Sequence, residues 1–179
     1  MVCCNNKRWE EKCRMLRGWG RTSALNETEK IEDRFNIKLD GIAYDSKFIF
    51  EEMGYKTVFS GQPTYNGVAL ISREPAKDIA TELDGFPDSE KRVLAATFGD
   101  IRVLNLYVPN GRSVDSEKYQ YKLDWLRALN AQLQKDVKIY KHIVAMGDFN
   151  IAPEDRDVHD PTEWEGKILC SPKERQALL

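Results

Sequence analysis

No stretch of this 179-residue chain is apolar for long enough to form a membrane-crossing helix. The N-terminus likewise lacks the apolar core of a signal peptide. Cysteine is sparse. There are four, without the spacing of a disulfide framework, so a reducing, cytoplasmic setting is expected. Neither sign of charge is in excess: 27 Lys and Arg against 29 Asp and Glu leave a net charge of −2. Overall charge therefore does not advertise a nucleic-acid binder. It does not exclude one, because a metal-dependent site contributes acids and a binding face can be basic locally. Internal repeats, low-complexity tracts and linkers are also missing. What remains, 41% hydrophobic and 31% charged, is the composition of one globular domain.

Residues 1–24 differ from the rest. They carry Cys3, Cys4, Cys13, Trp9 and Trp19, with basic residues outnumbering acids. Neither a helical stripe nor strand alternation is visible. The cysteines suggest a zinc site, but no second ligand pair follows at zinc spacing. The basic residues suggest a nucleic-acid arm. The plainest expectation is a weakly structured leader, with the domain proper starting at residue 25.

From there the pattern is regular. Asp45 to Met53, closed by Gly54, reads as a short helix. Lys56 to Ser60 and Gly67 to Ser72 read as strands joined by a Gly/Pro/Asn loop. Arg92 to Phe98 and Ile101 to Val108 flank Gly99-Asp100, a two-residue hairpin signal. Ser116 to Gln134 reads as a long helix with Asp115 or Ser116 as its cap. Tyr119, Leu123, Leu126, Leu129 and Leu133 supply its apolar stripe. The run Ile143-Val144-Ala145-Met146 reads as a buried strand. Pro153 to Trp164 is an acidic loop, and another helix starts at Pro172. Hairpins alternating with helices imply α/β or α+β layers.

The chemistry concentrates after the last strand, in Gly147-Asp148-Phe149-Asn150-Ile151-Ala152-Pro153-Glu154-Asp155. Asp148 and Asn150 are two residues apart, so in extended geometry both point to one side. A carboxylate can take a proton from water. A neutral amide can orient that water or a phosphate oxygen without adding repulsive charge. Taken alone, the same residues also fit an ordinary turn.

Three further motifs accompany it: Leu25-Asn26-Glu27-Thr28, Tyr65-Asn66-Gly67-Val68-Ala69-Leu70-Ile71-Ser72-Arg73, and Asn105-Leu106-Tyr107-Val108-Pro109-Asn110-Gly111 followed by Ser116-Glu117-Lys118-Tyr119. With the segment from Gly147 to His159, this set resembles the exonuclease III family of DNA-repair nucleases, which includes the abasic-site endonucleases. The resemblance covers residues 25–179. It implies a sandwich of two mixed β-sheets flanked by helices. It also implies a divalent-metal-dependent 3′–5′ exonuclease and abasic-site endonuclease, a monomer acting on abasic or nicked double-stranded DNA.

The resemblance carries roles residue by residue. Glu27 matches the ligand of Mg²⁺ or Mn²⁺, hard cations suited to oxygen donors. By sequence alone it would be a surface acid. Asp148 matches the residue that activates the attacking water, and Asn150 the amide that orients the reacting groups. Tyr107 matches a tyrosine at the scissile phosphate, and is otherwise a half-buried sheet residue. Asn110, Lys118 and, more weakly, Arg92 match phosphate-backbone contacts. His159 reads as a structural loop residue, because the family's catalytic histidine lies on a later segment.

Two departures accompany the match. Nothing in residues 1–24 supplies the family's opening Trp-Asn-x-Asn strand; Asn5 and Asn6 fit it badly. The family's closing Asp-His segment is not in this sequence. The sequence therefore reads as a shortened family member with an altered leader. The alternative expectation is an inactive fragment that at most binds DNA and is prone to aggregate.

Overall fold

The computed structural model describes residues 50–62 and 66–178. The leader and Glu27 lie outside these residues, as does most of the helix expected over Asp45 to Met53. Phe50 to Glu52 are helical, and Gly54 follows with a φ of +81°.

Two antiparallel strands, β1 (Lys56–Gly61) and β2 (Gly67–Ser72), form a hairpin. A second sheet holds β3 (Lys77–Ala80), β4 (Val93–Phe98), β5 (Ile101–Tyr107) and β6 (His142–Asp148) in that spatial order. The first two pairings are antiparallel and β5–β6 is parallel, so the sheet is mixed. The long helix α1 (Glu117–Ile139) makes the crossover that a parallel pair requires. After β6 come a 3₁₀ turn (Asp155–Asp157), α2 (Pro161–Trp164) and α3 (Pro172–Gln176).

Strand alternation sorts β4 and β5 between two cores. Val93, Ala95, Leu104 and Leu106 pack against Trp125, Leu126 and Leu129 of α1. Leu94, Ala96 and Val103 face the other way, onto Val68 and Leu70 of the hairpin. The result is the expected two-sheet sandwich, with α1 on one outer face. One polar group crosses the interior: the buried Asn105 donates its amide to Ala69 O at 2.8 Å, tying the sheets together. No helix among the described residues is long and apolar enough to cross a membrane.

Three differences from the sequence reading have physical causes. Strand β3 was not expected, because it is four residues long, mostly exposed and bulged, with Asp78 at a φ of +48°. It carries no alternation to read. Helix α1 runs on to Ile139, past Gln134, because its last turns invert the stripe: Asp136 is buried while Val137 and Ile139 are exposed. Strand β6, expected to be buried, holds no buried residue, because it stands at the edge of the described sheet, and Val144 is exposed. At the start of α1, Ser116 is the cap, one of the two expected, accepting from Tyr119 N at 3.2 Å.

At the end of β6, Gly147 has a φ of +132° and lies against Leu106. A Cβ built there would meet Leu106 O at 1.9 Å. Gly147→Ala is expected to lower stability by about 2–5 kcal/mol, through overpacking together with backbone strain. Gly99→Ala, also at positive φ but with open space around it, is expected to cost about 1–2 kcal/mol. Urea unfolding of the two variants beside the parent checks the difference; equal costs would show that the β5–β6 approach relaxes freely.

Candidate active site

The parallel register pairs Leu106 with Gly147 and Tyr107 with Asp148. Val108 N donates to Asp148 O at 2.9 Å, which extends the pairing one step further. Both strands therefore release their chains at the same end, side by side. Tyr107, Asn110, Asp148 and Asn150 are brought together by this one arrangement.

The two loops hold each other through side chains. Asn150 N donates to Asp148 Oδ1 at 3.0 Å, a local turn that accommodates the Asn150 φ of +48°. Asn150 Nδ2 donates to Val108 O at 2.8 Å. Asn110 Nδ2 reaches Asn150 Oδ1 at 3.4 Å. The Asn150 amide is thus fixed from both ends, while Asp148 and Asn110 are exposed. A cleft of about 440 Å³ opens here, lined by Gly147, Asp148, Asn150, Asp157, Val158 and Leu169.

The other expected residues sit around this centre. Arg92 precedes β4, pairs with Glu90, donates to Tyr107 O at 3.3 Å and places its guanidinium 4.7 Å from the centre of the Tyr107 ring. It is half-buried and engaged by protein groups, so it braces Tyr107. Lys118 is exposed on the first turn of α1, the turn that Ser116 ties to Gly111 O at 2.7 Å. His159 is exposed in the loop before α2.

Beneath the loops lies a group that the sequence reading passed over. Lys122 of α1 and Glu174 of α3 form a fully buried ion pair. Lys122 Nζ also donates to Asn150 O at 2.6 Å and Asn110 O at 3.2 Å. Glu174 accepts from Leu169 N and Ser171 N, each at 3.2 Å. Burial pushes the Lys122 ammonium below the usual lysine value, while Glu174 and Asp148 pull it back up. Both residues left a trace in the sequence. Lys122 falls three residues after Tyr119 and four before Leu126, on the stripe itself. Glu174 completes the Ser171-x-x-Glu174 capping box.

Among the described residues, no group of three or more His, Cys, Asp or Glu is arranged to hold a metal. The donors at the cleft are hard oxygens, Asp148 foremost. That suits Mg²⁺, which is held through one or two carboxylates and keeps several waters. The donor chemistry fits such an ion.

The sequence profile of the Endonuclease/Exonuclease/phosphatase family matches residues 15–171. Exodeoxyribonuclease III of Haemophilus influenzae is 34% identical over 142 residues, which is 71% of this chain and 52% of that protein. Among solved structures, an AP endonuclease from Archaeoglobus fulgidus is similar with a TM-score of 0.68 and 43% identity, covering 73% of this chain and 51% of its own. A 3′ phosphatase from Neisseria, bound to a product DNA hairpin, is similar with a TM-score of 0.74 and 34% identity, covering 88% of this chain and 64% of its own. The chain spans about half the length of the Haemophilus and Archaeoglobus proteins.

Removing one partner of a buried ion pair strands the other. Lys122→Met is therefore expected to lower stability by about 3–5 kcal/mol. Lys118→Met, one turn away on the exposed side, is expected to change it by less than about 0.5 kcal/mol. Chemical denaturation of both variants checks the contrast, and similar values for the two would contradict the burial of Lys122.

Proposed function

The chain belongs to the Endonuclease/Exonuclease/phosphatase family, and from that membership we propose a DNA-repair phosphodiesterase of the exonuclease III type. It acts in the cytoplasm as a monomer, trimming 3′ ends and incising abasic sites in double-stranded DNA. The observation that carries this reading is the gathering of Tyr107, Asn110, Asp148 and Asn150 at the ends of two paired parallel strands. The DNA hairpin bound by the Neisseria relative supports the substrate class.

In this mechanism Asp148 takes the proton from the attacking water. Asn150, held by Val108 O and Asn110, orients that water against the phosphate. The Tyr107 hydroxyl donates toward charge developing on the phosphoryl oxygens. Arg92 holds the Tyr107 ring in place. Asn110 and Lys118 contact backbone phosphates, which fix register without reading sequence. Glu27, outside the described residues, is the candidate ligand for Mg²⁺ or Mn²⁺, with Asp148 the carboxylate on the cleft side. When bound, the ion supplies a Lewis acid at the scissile phosphate.

The test is incision of an abasic duplex and trimming of a recessed 3′ end, with Mg²⁺. It is run on this chain and on a fusion that supplies the remaining length of its relatives. Turnover in the fusion is expected to vanish in excess chelator. Asp148→Asn is expected to lower it by about 10²–10⁴-fold, the typical worth of general-base catalysis, with DNA binding retained. His159→Ala is expected to leave it nearly unchanged. Affinity for DNA is expected to fall steeply with salt, because phosphate contacts release counterions. Chelator-resistant turnover, or equal damage from His159→Ala and Asp148→Asn, would overturn the assignment.

A further inference from the structure

We propose that the buried Lys122–Glu174 pair is the positioning device of this site, clamping the Asn110 loop to the Asn150 loop from below. The proposal rests on the functional reading above for its significance and on the geometry alone for its substance. Neither residue faces the cleft, and neither side chain has any exposed surface. Lys122 acts through the two loops.

Three features single it out. First, its three ammonium protons have three acceptors: Asn150 O, Asn110 O and a Glu174 carboxylate oxygen. Those acceptors come from three separate segments: the loop after β5, the loop after β6, and α3. A lysine serving only to neutralise Glu174 would need one of them. Second, the two carbonyls belong to the same two residues whose side chains meet above, Asn110 Nδ2 on Asn150 Oδ1. That upper contact is long, at 3.4 Å, and exposed. The lower contact to Asn150 O is 2.6 Å and partly buried. The stronger, drier bond therefore sets the spacing that the weaker one inherits. Third, the pair is held rigidly from its far side. Glu174 accepts from Leu169 N and Ser171 N, and Tyr119 OH lies 2.5 Å from Ser171 Oγ. Tyr119 sits one turn before Lys122 on α1, so helix, capping box and both loops form one closed network.

Burying two charges is a poor way to gain stability, since an apolar pair of similar size commonly does as well. An apolar pair could not donate to Asn110 O and Asn150 O. The test reads that difference at the two loops, apart from the Leu169 and Ser171 amides that lose Glu174 as acceptor. Lys122→Met combined with Glu174→Met keeps the packing volume, removes both charges together and removes every donor to the two carbonyls. Hydrogen–deuterium exchange read by mass spectrometry follows peptides spanning 108–112 and 148–152, with peptides of β4 and β5 as the internal reference. In the double variant the loop peptides are expected to exchange at least about tenfold faster than in the parent, with the strand peptides within about twofold. Lys122→Arg, which keeps the charge and enough N–H donors for all three acceptors, is expected to hold the loops nearer to the parent.

Two results overturn the proposal. Loop exchange in a folded double variant that matches the parent would show that the loops hold each other without the pair. Loss of protection in strands and loops alike, including outright failure to fold, would make the pair a support of the whole chain. Incision of abasic DNA by the fusion is measured separately. Absence of turnover there overturns the functional reading, while the exchange result still decides the clamp.

Discussion

The contact on which the site depends is the approach of two backbones, β5 at Leu106 and β6 at Gly147. A side chain at position 147 would collide with the Leu106 carbonyl. The strands reach their pairing distance only because glycine is there and adopts a φ that other residues resist. That pairing fixes the parallel register, and the register sets Tyr107 beside Asp148. A slip of one residue would turn Asp148 to the opposite face of the sheet. The chemistry of the cleft thus follows from a steric fact two atoms wide.

A parallel pair leaves both strand ends open on one side, and the protein fills that end with two short loops. Loops position side chains loosely unless something braces them. Here the bracing comes from layers. Asp148 and Val108 O hold Asn150 within the loop layer. Lys122 reaches the loop carbonyls from the helix layer beneath. Arg92 and Glu90 steady Tyr107 from the side. Tyr107, Asn110 and Asn150 are each backed by a group that touches neither DNA nor water.

The same helix serves three purposes. Its stripe, centred on Trp125, Leu126 and Leu129, covers one face of the sheet. Its N-cap Ser116 ties the chain back to Gly111 O. Nearly two turns on, Lys122 interrupts the apolar face with a buried charge, a local inconsistency of the kind that functional sites carry. On the other face the buried Asn105 donates across to Ala69 O of the hairpin.

By itself the sequence determined the layers and the identity of the reacting groups. Apolar runs bounded by turn residues marked the hairpin strands, β4, β5 and β6, and helical periodicity marked the body of α1, which buries one face. The Gly147-Asp148-Phe149-Asn150 run and its companions marked the family, because Asp148 and Asn150 answer to chemistry while Gly147 and Phe149 answer to a close strand approach and the core. Short, exposed β3 and the last turns of α1 left no pattern, since β3 buries no residue and Val137 and Ile139 of α1 are exposed. Tertiary structure alone decided what Lys122, Glu174 and Arg92 do. Lys122 sits on the helix stripe, Glu174 in a capping box, and Arg92 before a strand, and nothing in those local settings distinguishes a surface charge from a buried or stacked one. Only when α1, α3 and the two loops converge does Lys122 gain three acceptors, and only when β4 lies beside β5 does Arg92 meet the Tyr107 ring. The partners are up to 52 positions apart along the chain, and folding alone brings them within hydrogen-bonding range.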